Sequence, residues 1–349
     1  MTTNCHLRCA PVGTEILAVT HRCCNAVAEI PHDECERKPM MIENVRSDRP
    51  GELCQGLWYL GRPESGIYWL EGSERALLIS GGMSYIVPSV VEQMERFGLN
   101  GDRLAGILIL HSHFDHVGVV PYFKRRYPHV TVYASKRAWE ILGRDKTIDT
   151  INAFSKVVAA RMGMADALAS FESDWFPELA GEGVSERDRI SLGDREVLIM
   201  ETPGHSSCSI SGYVPQIKAL FPSDGGGVPF GDTIISCGNS NYTQYQDSLA
   251  RLKDLEVDFL CADHYGYLCG EEAARFMKRS IEIAAVERAQ MEEVYLRTKD
   301  IDAAAQEIAA AFLQKNPDYF LSEEIYTGVM RQVIRHLASC IDEPRQSEV

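Results

Sequence analysis

The chain has 349 residues, 45% of them apolar, enough for a substantial core, and a formal net charge of −15. That balance argues against a nucleic-acid partner, because a phosphate backbone is bound by clustered Lys and Arg and no such run occurs. No run of about 18 apolar residues marks a membrane span, and no basic stretch followed by an apolar core marks a secretory signal. The expectation is a soluble, cytoplasmic protein that takes a small-molecule substrate, with its eleven cysteines reduced or metal-bound rather than paired in disulfides.

The first forty residues hold Cys5, Cys9, Cys23, Cys24 and Cys35 beside His6, His21 and His32. These spacings match no zinc or iron–sulfur pattern. The segment is read as an extension, or as preceding a true start at Met40 or Met41, in preference to a small accessory metal site, and supplies no site residue. From Leu57 the pattern changes to three short strands, 56–60, 67–70 and 76–80, punctuated by Gly-Arg-Pro and Glu-Gly-Ser. Pro88 suits the first turn of a helix whose apolar stripe is Val90, Val91, Met94 and Phe97, with Gly98 placed to stop it.

The apolar run Ile107-Leu108-Ile109-Leu110 reads as a buried strand and leads into His111-Ser112-His113-Phe114-Asp115-His116. Four potential metal ligands thus fall within six residues at the end of a strand, where rigid backbone can hold them. His111 and His113, two residues apart in extended chain, face one side and can share an ion. Asp115 and His116 point elsewhere and can serve a second. Imidazole with carboxylate suits zinc and also fits iron or manganese.

Beyond this stretch, 118–127 reads as a helix, 130–133 as a strand and 135–142 as a helix with Ser135 as N-cap. Residues 145–183 read mostly as helix, with a stripe of Ile151, Phe154, Val157, Val158 and Met162 that packs in the core or overhangs the site as a lid. A strand at 197–200 enters Thr202-Pro203-Gly204-His205-Ser206. The hairpin pair 209–214 and 217–221 ends at Ser223-Asp224-Gly225. Asp232 competes with Asp224 as the acidic ligand, and Asp224 is preferred because it closes an apolar strand. A helix with Tyr245, Leu249, Leu252 and Leu255 on one face precedes the strand Phe259-Leu260-Cys261, which delivers His264. Tyr242, Tyr265 and Tyr267 are pocket candidates by their nearness to these motifs. The tail reads as two amphipathic helices, 271–314 and 322–340, broken at Asn316-Pro317-Asp318. This order of strands and helices is α+β and suggests two sheets packed together with helices outside.

The H-x-H-x-D-H stretch, with the later His205, Asp224 and His264 in order, resembles the metallo-β-lactamase superfamily over roughly residues 50–270. The resemblance implies a four-layer αββα sandwich at 51–270, preceded by a Cys-rich extension at 1–50 and followed by a helical extension at 271–349. It implies a binuclear centre: His111, His113 and His205 on one divalent ion, Asp115, His116 and His264 on the second, and Asp224 bridging them. Zinc is the first choice. Hydroxide between the ions would be the nucleophile, with Asp115 orienting it. The family's usual Asp after the third strand corresponds to Ser80 here, which weakens one contact to a ligand.

A complete ligand set with His at 113 argues against the flavodoxin-linked diiron and mononuclear-iron branches. An Asp rather than a Cys at 224 argues against β-lactam hydrolysis. The layout resembles the glyoxalase II-like and quinolone-signal-response-like branches, which implies a hydrolase acting on a thioester or ester of a small acyl substrate. A phosphodiesterase is the alternative among hydrolases, and a metal-containing regulatory or scaffold protein acting by contact is the alternative outside them. The C-terminal helices would wall the site, form a homodimer or simply buttress the sheet.

Overall fold

Apolar residues follow one another along the central strands, as in Ala76–Ile79 and 107–110, and both faces of these strands are consequently buried. The computed structural model describes residues 44–342 apart from 318 and 320, so the Cys-rich start with Met40 and Met41 lies outside the described residues. After a short β1 (Arg46–Ser47), the first sheet runs in chain order through seven strands. They are β2 (Gly51–Cys54), β3 (Leu57–Arg62), β4 (Ser65–Glu71), β5 (Ala76–Ile79), β6 (Leu104–Leu108), β7 (Thr131–Ser135) and β8 (Glu182–Val184). The strands are antiparallel up to β5 and parallel from β5 to β8. Parallel neighbours need crossovers, here α1 (Val87–Phe97), α2 (Val120–Arg126), α3 (Lys136–Leu142), α4 (Asp145–Arg161) and α5 (Ala165–Leu168).

The second sheet comprises β9 (Arg189–Ser191), β10 (Glu196–Glu201), β11 (Ile210–Val214) and β12 (Ala219–Phe221), and closes with β15 (Phe259–Cys261) and β16 (Tyr267–Cys269). Between them lies a separate hairpin, β13 (Val228–Phe230) and β14 (Thr233–Ile235). The spatial order is β1-β16-β15-β12-β11-β10-β9, with β12 and β15 parallel. Its outer face carries α6 (Tyr242–Leu252), α7 (Glu271–Thr298), α8 (Ile301–Lys315) and α9 (Glu323–Asp342).

Side-chain alternation sorts the core into three layers. Leu108 and Leu110 join Tyr68, Leu77, Val197, Ile210 and Phe221 between the sheets. Ile107 and Ile109, one residue out of phase, face Val90, Val120 and Phe123 on the first helical layer. Leu220 and Leu260 face Tyr245, Leu249 and Phe276 on the second. The architecture is therefore the αββα sandwich that the order of elements predicts.

Local signals account for the boundaries. Pro88 lies in the first turn of α1, and Gly98 ends it at φ 69°. Ser135 Oγ accepts from Ala138 N at 3.0 Å to cap α3. Two helical expectations are corrected. The span 145–183 is helical only to Arg161 and again over Ala165–Leu168. Gly163 at φ 66° breaks it, and the segment ends in β8, which extends the first sheet. The span 271–314 is two helices, because Lys299 turns left-handed and Asp300 Oδ1 accepts from Ala303 N at 2.9 Å to begin α8. No helix among the described residues is long and apolar enough to cross a membrane.

Candidate metal centre

Four loops leave the C-terminal ends of β6, β10, β12 and β15, and they carry the predicted residues to one place. His111 Nε2 lies 3.2 Å from His113 Nδ1, and His205 Nε2 lies 3.1 Å and 3.0 Å from the same two atoms. Beside them, His264 Nε2 is 3.2 Å from His116 Nε2. Asp115 Oδ2 is 3.5 Å from His116 Nε2 and 3.7 Å from His264 Nε2. Asp224 faces both groups: its Oδ2 is 3.3 Å from His116 Nε2 and 3.5 Å from His205 Nε2, and its Oδ1 is 3.7 Å from His264 Nε2. All seven predicted residues are thus brought together. Asp232 is not, since it sits in the exposed turn between β13 and β14.

The rings are aimed by partners outside the cluster. His205 Nδ1 donates to the Cys237 carbonyl oxygen at 2.8 Å, and His264 Nδ1 donates to that of Glu64 at 2.7 Å. His116 Nδ1 donates to Asp263 Oδ2 at 2.8 Å. His111 Nδ1 donates to Ser223 Oγ at 3.2 Å, and Ser223 in turn donates to the same Asp263 oxygen. Each donation leaves Nε2 as a lone pair directed inward. Sequence reasoning missed Asp263 and Ser223. It looked for the orienting carboxylate at the Ser80 position, where the buried hydroxyl has no hydrogen-bond partner among the described residues. The carboxylate comes instead from the residue before His264.

These atoms fit metal ions. Lone pairs facing one another repel unless a cation stands between them. Three nitrogens around a tetrahedral zinc ion would be about 3.3 Å apart, close to the 3.0–3.2 Å separations here. Asp224 Oδ1 is buried without a hydrogen-bond partner among the described residues, which is costly unless a cation satisfies it. Three groups offer ligand atoms close enough to hold an ion: His111, His113 and His205; His111, His116 and Asp224; and Asp115, His116 and His264.

The electrostatics agree. Burial and the neighbouring imidazoles of His116, His205 and His113 push His111 well below the ordinary histidine range. Burial and His205 push His113 down to about 4, so both are neutral donors near pH 7. Burial would raise Asp224, but His116, His264 and His205 outweigh it and hold the carboxyl well below its usual value. Burial would lower His116, yet Asp224 and Asp115 keep it well above. A position whose carboxylates stabilise positive charge on His116 also stabilises a cation there.

Backbone geometry holds the His205 loop against α6. Gly204 has φ 130°, and a Cβ on it would lie 2.2 Å from Tyr245 N. Its carbonyl accepts from Asn241 N at 2.9 Å and Ser240 N at 3.0 Å. Gly204→Ala is expected to cost about 2 kcal/mol or more of stability, seen as a lower urea midpoint. An unchanged midpoint would contradict this account of the loop.

A cavity of about 620 Å³ adjoins the cluster, with His113, Asp115, His205, Asp224 and His264 in its floor. One wall is the Lys146, Thr147, Thr150, Ile151 and Phe154 face of α4, and another is the Ile325, Tyr326, Val329 and Met330 face of α9. Tyr242, Tyr265 and Tyr267 do not line it. Tyr242 is buried and donates to the Ala284 carbonyl at 3.0 Å, Tyr265 packs on Phe230, and Tyr267 lies between the sheets. Tyr319 and Tyr326 line the cavity instead.

Comparison with known proteins agrees with this geometry. The family model described as the metallo-beta-lactamase superfamily matches residues 62–264. The acyl-coenzyme A thioesterase MBLAC2 of Gallus gallus is 26% identical over 259 residues, covering 66% of this chain and 88% of its own length. The hydroxyacylglutathione hydrolase of Bradyrhizobium sp. is 26% identical over 183 residues, covering 50% of this chain and 53% of its own. The chain therefore spans only about half the length of that second relative. Among solved structures, the metallo-beta-lactamase family protein TTHA1429 of Thermus thermophilus matches with a TM-score of 0.58 at 16% identity, over 82% of this chain and 96% of that one. A likeness at that identity speaks for the fold alone.

Proposed function

Because the chain belongs to the metallo-beta-lactamase superfamily, we propose that it is a metal-dependent hydrolase with a binuclear centre, acting on a thioester or ester. The observation that carries this reading is the convergence of seven His and Asp side chains in two adjoining groups shared by Asp224. His111, His113 and His205 would hold one ion, and Asp115, His116 and His264 the other. Bound there, divalent ions, zinc first and iron or manganese with the same ligands, supply Lewis acidity toward water and the acyl carbonyl.

The remaining chemistry belongs to the chain. Asp263 fixes the His116 ring directly and the His111 ring through Ser223. Asp115 stays ionised, since His116 outweighs the effect of its burial. It lines the cavity and can accept a hydrogen bond from the attacking water, which orients the water's lone pair toward the acyl carbon. In the overall reaction a C–O bond to water forms and the C–S bond of the thioester breaks. One water proton ends on the leaving sulfur, and the other leaves the new carboxylic acid. The thioester reading is favoured because the relatives named above are an acyl-coenzyme A thioesterase and a hydroxyacylglutathione hydrolase.

The test is a hydrolysis panel of aryl esters, acyl-CoA thioesters and bis-aryl phosphates on metal-replete protein. Thioester cleavage is the expected result. Phosphodiester cleavage alone would replace the thioesterase reading with a phosphodiesterase. Asp263→Ala is expected to weaken metal retention by about 10- to 100-fold, read by competition with a chromophoric chelator, with Asp263→Asn falling between it and the parent. Equal retention in all three would show that Asp263 does not position the ligands. A homodimer through the C-terminal helices is a separate proposal, for which light scattering would give twice the chain mass.

A further inference from the structure

The thioesterase reading leaves open what the acyl group is, and the cavity bears on that. Serines and Asn239 line it beside His113 and His205, while α4 and α9 bring a set of apolar side chains to the opposite walls. Phe154 of α4 packs on Phe114, with ring centroids 5.4 Å apart, and Phe114 sits between the ligands His113 and Asp115. Phe154 is nevertheless 42% exposed, and it shares the cavity with Ile151 on the same helix and with Tyr326, Val329 and Met330 of α9. A large apolar side chain left open to a cavity, beside buried apolar neighbours that line the same space, favours an apolar occupant. Biological thiol carriers are built of amides and anions, which apolar walls would desolvate without partners. Outside the ion cluster, the charged side chains lining the cavity are Arg144 and Lys146, both positive in a chain of net charge −15. Neither makes an ion pair with a described residue, and both are exposed at the start of α4. Along the helix, Lys146 lies about 12 Å from Phe154. The carrier would leave toward these cations while the acyl group stays between the apolar walls.

We propose that the substrate is a thioester of a medium-length or aromatic apolar acyl group, held between α4 and α9, on an anionic carrier that leaves past Arg144 and Lys146. This rests on the thioesterase reading and narrows it. A volume of about 620 Å³ falls in the range that buries most of a drug-sized ligand, far more than acetyl or a small hydroxyacyl group needs. A fully buried methylene contributes about 0.8 kcal/mol, roughly fourfold in rate constant per carbon, so a partly buried chain gives a smaller gain per step.

The experiment is a series of acetyl, lactoyl, butyryl, octanoyl, decanoyl, palmitoyl and phenylacetyl thioesters, each on coenzyme A and on N-acetylcysteamine, with the metal-replete full chain. The expected result is a kcat/KM that rises by about a hundredfold or more from acetyl to octanoyl or decanoyl and falls again at palmitoyl. Met330→Trp is expected to lower the decanoyl-to-acetyl ratio at least tenfold. The double variant Arg144→Glu, Lys146→Glu is expected to raise KM for the coenzyme A esters at least fivefold more than for the uncharged N-acetylcysteamine esters. Equal turnover of acetyl or lactoyl and decanoyl thioesters would overturn the apolar-acyl assignment while the thioesterase reading stood. Equal KM changes for the two carriers would overturn the role of the cations. No cleavage of any thioester would remove the thioesterase reading itself.

Discussion

Asp224→Ala is expected to lower kcat/KM for hydrolysis by at least about a thousandfold, some 4 kcal/mol of transition-state stabilisation. The side chain faces His116, His205 and His264 at 3.3, 3.5 and 3.7 Å, so its loss disturbs both ligand groups at once. It also removes the carboxylate that does most to favour positive charge on His116. The control is Asp232→Ala, in the exposed β13–β14 turn, where the contact recorded uses the backbone carbonyl and survives the substitution. That variant is expected to match the parent in rate and to lie within about 0.5 kcal/mol in stability. Rates for Asp224→Ala within tenfold of the parent would contradict the catalytic assignment. Loss of turnover with retention of the biological role would instead favour action by protein contact.

Stripping the metal is expected to lower the melting temperature by about 8 to 16 °C. Each ion that binds only the folded chain, at a thousandfold excess over its Kd, stabilises it by about 4 kcal/mol, so two give about 8 kcal/mol, and a chain of 349 residues shifts about 1.4 °C per kcal/mol. The effect should be reversible on adding zinc. It should largely vanish in a His116→Ala, Asp224→Ala double variant, which removes ligand atoms from both groups. A shift that survives those substitutions would assign the binding to other residues.

The clustering of these seven side chains was legible in the sequence because each group follows a strand whose apolar pattern is unambiguous. Leu108 and Leu110 had to face the opposite sheet, which fixed where the chain emerged and hence where His111 and His113 stood. Asp224 over Asp232 followed from the same logic, as one closes β12 and the other sits in a hairpin turn. The supporting hydrogen bonds were not legible. Asp263 and Ser223 each stand next to a ligand in the chain, but what they contact depends on two loops 40 residues apart meeting at one oxygen. The breaks at Gly163 and Lys299 were hidden because apolar periodicity continues across them, while one residue in the left-handed region redirects each helix. The tyrosines failed for a related reason: nearness in sequence to a motif does not decide which face of a strand or helix a ring occupies, and Tyr242 and Tyr267 turn into the core.

The most direct test of the account is the number of metal ions per chain, measured by elemental analysis on protein reconstituted with zinc and freed of excess ion. About two equivalents are expected in the parent, falling to about one or fewer in His111→Ala and in His264→Ala. One equivalent or none in the parent would contradict the binuclear centre on which the proposed hydrolysis depends.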